Sequence, residues 1–297
     1  MGKQSRKKKL ERERKQAIEA AKTLPGLTHE RELYAKSWSQ HDAAKFAQDA
    51  HYAWMASFTA GYDRILEIGT GDGRGTIELL RAGHSVVSID ENPACLHIAQ
   101  RKIEAAGFAV AVEQRETLQQ GNDGYAITYK PPTSNMPVSG ALLLEGDLLN
   151  DPSLLAWLKG LPRFDAVVCW LMGSHRARPF NTALEPLPAG AYRLRVQNQV
   201  YRLADTVLRT GGILHIVDRA EISSSEKMAE LLRLDTQKAH EEQASAFSSL
   251  RVDPRIEARP YEPPEKPGVL MGMTPGLSGR IPMSDKTGLV SIISRKP

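Results

Sequence analysis

The sequence lacks any apolar run of the roughly 18–20 residues needed to cross a bilayer. Its longest, Ala166 to Met172, has the length of a strand. Cysteine is nearly missing. Cys95 and Cys169 sit in apolar, regular segments and read as reduced core thiols, too few for a cysteine-based zinc site. The histidines form no H-x-x-x-H or H-E-x-x-H pattern, so no metal centre is expected. No apolar core follows the basic N-terminus, which argues against a secretory signal. No repeat of 20–50 residues points to a solenoid or propeller. Ser223 to Ser225 lack the G-x-S-x-G elbow of hydrolases. These absences lead to the expectation of a soluble, cytoplasmic protein with no membrane partner.

What is present is ordinary globular composition over 297 residues. The positive charge is unevenly placed. Residues 1–31 hold 10 Lys/Arg against 4 Asp/Glu, whereas the rest holds 29 against 31. Basicity is therefore a property of a leader, residues 1–30, and not of the body, residues 31–297. Residues 3–15 could meet nucleic acid through phosphate neutralisation. No aromatic residue interleaves there to stack on bases, and a solvated, partly helical leader is the plainer reading.

Residues 31–60 read as a helical cap, with Ser39 or Asp42 as a possible helix cap. From residue 61 the rhythm alternates between strand and helix. Short apolar strands fall at Arg64–Ile68, Ser85–Ile89, Phe164–Leu171, Ile213–Val217 and Leu289–Ser294. Asn92-Pro93 and Asp151-Pro152 each announce a helix start. Gln197–Arg209 reads as a further helix, and Ser223-x-x-Glu226 as a capping box. Continuous apolar strands separated by helices predict an α/β fold: a doubly wound, mostly parallel sheet. Residues 117–140 look like an insertion, and residues 260–286 like a long loop.

The chemistry concentrates at Ile65-Leu-Glu-Ile-Gly-Thr-Gly-Asp-Gly-Arg-Gly75. A strand feeds a glycine-dense turn, and such a turn lies at the sheet edge where open α/β folds bind ligands. A P-loop lysine is missing. A dinucleotide G-x-G-x-x-G counted from Gly69 meets Arg74 at its third glycine, so that reading is weakened but stays open. Acidic Glu67 and Asp72 beside the turn suit a cationic ligand better than a pyrophosphate. Val86–Asp90 ends in an acid that can accept ribose hydroxyls, with Glu91 adjacent. Leu142–Asp147 ends in another; Phe108–Glu113, followed by Glu116, competes with it as third strand.

Glu67-x-Gly69-x-Gly71-x-Gly73, Asp90, Gly146-Asp147, Phe164-Asp165 and the Gly211-Gly212 turn fall in an order that resembles class I methyltransferases. The resemblance spans about residues 60–220. It implies a seven-stranded Rossmann-like sheet and an S-adenosylmethionine cofactor. The implied cofactor residues are Glu67, Gly69, Thr70, Gly71, Gly73, Asp90 and Asp147. His175, in a Gly-Ser-His turn past the fourth strand, is the candidate catalytic base or orienter. Trp170 and Asp218 are candidates for the acceptor side. Trp38 and His41 belong to a helix that family members often fold over the cofactor. After the fourth strand stands Trp-Leu-Met-Gly-Ser-His, not Asn/Asp-Pro-Pro-Tyr or a Pro-Cys pair. The acceptor therefore stays open among a small molecule, a protein and RNA. An NAD(P)-dependent oxidoreductase and a non-catalytic cofactor-binding interaction protein are the alternatives.

Overall fold

The computed structural model describes residues 3–187, 189–265 and 286–297. The chain opens with α1 (Lys3–Ala21) and α2 (Leu24–Ser37). Thr23 caps α2, its Oγ1 accepting from Gly26 N at 3.1 Å. Because α2 crosses residue 30, the helical cap begins earlier than the charge pattern implies. A π-helical turn, Trp38–Asp42, runs into α3 (Ala43–Gln48), and α4 (His51–Ser57) follows. Ser39 and Asp42 cap nothing. Both lie inside this continuous turn, and Asp42 keeps helical angles with no side-chain cap.

Next come β1 (Arg64–Ile68), α5 (Arg74–Arg81), β2 (Ser85–Asp90), α6 (Pro93–Ala105), β3 (Val110–Glu113), β4 (Glu116–Gln120), β5 (Tyr125–Tyr129) and β6 (Ala141–Glu145). The chain continues through α7 (Pro152–Gly160), β7 (Phe164–Trp170), α8 (Ala189–Val207), β8 (Leu208–Ile222) and α9 (Glu226–Phe247). It closes with β9 (Arg251–Val252), β10 (Glu257–Pro260) and β11 (Lys286–Arg295).

The main sheet runs β10-β11-β8-β7-β1-β2-β6-β3, with β9 also pairing β11. The six strands from β8 to β3 are parallel, and β11 runs antiparallel between β8 and β10. This is a Rossmann-like α/β fold. Among the described residues the sheet has nine strands where seven were expected, because β9 and β10 dock on β11. At two and four residues they are too short to show a period in the sequence.

Alternation within each strand explains the double winding. Ile65, Val86, Leu143 and Val168 face a layer with Leu79, Leu96 and Ile103. Leu66, Val87, Leu144 and Val167 face the other, with Leu158, Val200 and Ala204. Both cysteines are buried and free.

The insertion is a hairpin, β4–β5, outside the main sheet. β6, not β3, lies beside β2, so Asp147 follows the inner strand and Glu116 opens the hairpin. Residues 266–285 of the expected loop at 260–286 lie outside the described residues. Two boundaries move. α8 begins at Ala189, ahead of Gln197, and Leu208 already belongs to β8. The capping box at Ser223 does not form. Ser225 is the N-cap, and Ser223 Oγ accepts from Ser225 N at 3.1 Å.

Candidate functional site

β1 has β2 on one side and β7 on the other. The strand order reverses there, which opens a crevice at the carboxyl ends of the strands. A cavity in it is lined by Gly69–Gly71, Asp90, Asp147, Trp170–Ser174 and Arg178, and by the aromatic rings of Tyr34, Trp38 and Tyr52. The turn after β1 passes through Gly69 (φ 91°), Gly71 (φ 54°) and Gly73 (φ 83°) before α5 begins. Its glycines leave room that a side chain would fill. A Cβ at Gly69 would stand 2.8 Å from Met172 Sδ, and one at Gly71 2.9 Å from Trp38 Nε1. Leu171, just past β7, holds φ 56°, a strained value for a residue with a side chain.

Parallel register sets the acids at this edge. Ile68 pairs Ile89 and Asp90 pairs Glu145, so Asp90 and Asp147 both emerge past the end of β1. Asp90 Oδ2 accepts from Gly71 N at 2.9 Å, and Oδ1 from Asn92 N at 2.9 Å. Burial and the neighbouring Glu91 push its carboxyl up to about 7, against the pull of these backbone bonds. Glu67 faces the cavity from beneath the turn. Its Oε2 accepts from Thr76 Oγ1 and Ser88 Oγ, each at 2.6 Å, so Thr70 Oγ1 donates to Ser88 at 2.7 Å. Burial pushes Glu67 up to about 7 as well.

Asp72 departs from the expected sign argument. It does not line the cavity; it is 2 % exposed and clamped by Arg74 and Lys102. Its charge is thereby answered within the protein. Asp147 is likewise held, with Arg178 Nη2 donating to both carboxylate oxygens at 2.8 Å. Arg178 Nη1 reaches Glu91 at 3.1 Å. Burial pushes the Glu91 carboxyl up, but His175, Arg178 and Arg31 outweigh it and hold the group well below the usual carboxylate range.

His175 does not line the cavity. It is buried, with Nε2 3.2 Å from Glu91 Oε1. This position suits an anchor for Glu91 better than a base for a substrate. Trp170 does line the cavity. Its Nε1 donates to His215 Nδ1 at 3.1 Å, and His215 Nε2 then donates to Ser291 at 2.9 Å. Burial holds His215 near 3, so the ring is neutral and acts as that acceptor. Asp218 stands behind the lining, where Arg193 Nη1 and Gln197 Nε2 donate to it. Arg193 itself lines the cavity. Trp38 does too, and His41 does not. Sequence reasoning missed Arg178, Arg31, Tyr34, Tyr52 and Arg193. Arg31 was visible only as one more basic residue near the leader.

Residues 65–125, from β1 through the start of β5, match a family model described as a methyltransferase domain. Over that stretch the chain is similar to a methyltransferase domain. Among solved structures it is similar to the YcgJ protein from Bacillus subtilis, at 12% identity and TM-score 0.44, over 83% of this chain and 98% of that one. It is also similar to the O-methyltransferase TomG from Streptomyces achromogenes, at 13% identity and TM-score 0.41, over 84% and 80%. No curated protein matches the sequence. Among the described residues, no histidine or lysine lines the cavity. None of its helices there is long and apolar enough to cross a membrane, and no cluster of ligating side chains could hold a metal ion.

Proposed function

We propose that the protein transfers a methyl group from S-adenosylmethionine to an acceptor held above Trp170, Leu171 and Met172. One observation carries this reading. The acids Asp90 and Asp147 stand at the ends of adjacent strands and line one cavity with the glycine turn. In it Asp90 accepts from the ribose hydroxyls, and Asp147 takes the adenine side. Gly69, Thr70, Gly71 and Gly73 shape the turn, and Glu67 braces it from below. The cofactor supplies an activated methyl on a sulfonium, whose positive charge is lost as the methyl leaves.

Little new charge then needs stabilising, and the protein's task is alignment, worth ~7–11 kcal/mol when reacting atoms are held in line. Trp170 walls the methyl end. Asp218 holds Arg193 towards the acceptor. His175 acts indirectly, by fixing Glu91 beside Asp90. With no histidine or lysine in the lining, a base drawn from it would be a carboxylate, Glu67 being the first candidate. The competing oxidoreductase reading is tested by titrating NAD(P) and S-adenosylmethionine in parallel; preferential binding of NAD(P) rejects the methyltransferase reading.

Replacing Asp90 by Ala removes the ribose acceptor and frees Gly71 N. We expect cofactor binding to weaken by about 1–3 kcal/mol, read by calorimetric titration; unchanged affinity removes the assignment. The same group gives a pH signature. Ribose hydroxyls bind the ionised carboxylate, and in the free protein Asp90 ionises only near 7. Affinity should therefore fall below pH 7, by up to about tenfold per unit. Asp90→Asn should flatten that profile. A slope unaltered in Asp90→Asn assigns the titration to another group, Glu67 being the first candidate.

A further inference from the structure

α1 carries a strong charge that the cofactor site leaves unused. Its 19 residues hold eight Lys/Arg and three Glu. Residues 6–9 and 11–20 are all exposed, so the charge runs around the helix and not along one stripe. Internal pairing offsets little of it. Lys9 reaches Glu13 at 3.8 Å with both side chains largely in solvent, a contact of small worth.

The helix has just two large apolar residues, Leu10 and Ile18. An interfacial membrane helix needs a broad apolar face opposite its basic one, and a groove-binding helix needs a row of apolar anchors. α1 has neither. A polyphosphate backbone needs only closely spaced cations, because affinity comes from counterion release. At ~1.5 Å per residue the helix extends about 28 Å, which spans several phosphates.

Its mounting links it to the cavity. A Cβ at Gly26 would stand 1.8 Å from Ala20 O, so α1 and α2 meet without a spacer. α2 is pinned to the body by Arg31, which pairs with Glu91 at 3.2 Å and Glu116 at 2.8 Å. The same helix puts Tyr34 into the cavity wall, and Trp38 follows directly. Both rings line the wall that an unstacked base entering the cavity would meet.

We propose that α1 is a docking arm for the phosphate backbone of a nucleic acid, whose base is the methyl acceptor. The acceptor half rests on the methyltransferase reading; the docking half does not. The test is fluorescence anisotropy with the full chain. Its probes are a mixed-sequence 20-nucleotide single-stranded RNA, a DNA duplex of equal length, and vesicles of phosphatidylcholine with phosphatidylserine. We expect binding to RNA or DNA that falls steeply with salt and is weakened at least about tenfold at low salt in Lys7→Ala/Lys8→Ala/Lys9→Ala. The log–log salt slope on RNA should drop by about 2 in that variant, at ~0.7 per phosphate contact. Hydrogen exchange should slow in residues 3–20 on adding the nucleic acid.

No binding at 50 mM salt, binding unchanged in the triple variant, or binding to vesicles alone overturns the docking arm. Titrating the triple variant with S-adenosylmethionine keeps the two proposals apart. Normal cofactor affinity with lost RNA binding bears on the arm alone, and absent cofactor binding in the parent protein fails the methyltransferase reading, and the acceptor half with it, but not the docking arm. Labelled methyl from the cofactor should enter RNA or DNA. Label entering only protein or small molecules overturns the acceptor half.

Discussion

Arg178→Met should destabilise the protein by about 3–5 kcal/mol, the usual cost of leaving buried charge without its partner. Arg178 is 6 % exposed and stands between two carboxylates, donating twice to Asp147 and once to Glu91. The acids make the guanidinium still harder to deprotonate, despite its burial. Methionine fills similar volume but returns no charge. The loss should depend on pH. Glu91 is held below its ordinary value, so it adds stability above the unfolded pKa near 4.5, and that contribution fades as pH falls through its folded value. The variant lacks part of this depression. The gap between the two proteins should be widest above about pH 5 and narrow in more acidic buffer. Chemical unfolding at pH 7 and pH 4 measures it. A uniform gap at both would assign the loss to packing and not to charge.

This ion network also shows where the sequence stops being readable. The glycine turn and Asp90 were legible because strand, turn and next strand lie within 30 residues, and each carries its own local signal. Apolar strands such as Phe164–Trp170 were legible because both faces of the sheet are covered, so every residue is buried. Arg31, by contrast, meets partners 60 and 85 residues away. No periodicity links it to Glu91 or Glu116. His175 was found as a histidine past a strand end, yet nothing local says that its ring turns to Glu91. Asp72 looked like a ligand-facing acid because Lys102, which neutralises it, arrives from the next helix. The place of β6 between β2 and β3 was open for a related reason. Both candidate strands are apolar, and only their pairing decides which is inner.

Gly73→Val should both destabilise the fold and abolish cofactor binding, because two independent constraints meet at that residue. Gly73 is the N-cap of α5, at φ 83° and ψ 0°. A β-branched residue is a genuine outlier there, at a cost of about 1–2 kcal/mol. A Cβ would also stand 2.8 Å from Ala99 Cα and 2.9 Å from Ala99 Cβ, on the neighbouring α6. Those atoms belong to a helix backbone and its first carbon, so no rotamer change relieves the clash. Overpacking of this kind adds about 1–3 kcal/mol. Any retreat of α5 drags the turn with it and moves Gly71 N away from Asp90. Gly61→Val separates the two causes, since Gly61 has φ 85° with nothing within 4 Å of a Cβ. That variant should show the backbone cost alone and bind cofactor normally. Thermal melts and calorimetric titration of both report the difference. Equal melting temperatures and intact binding in Gly73→Val would mean that α5 can move off α6 without disturbing the turn, and the close contact at Ala99 would then have no part in shaping the site.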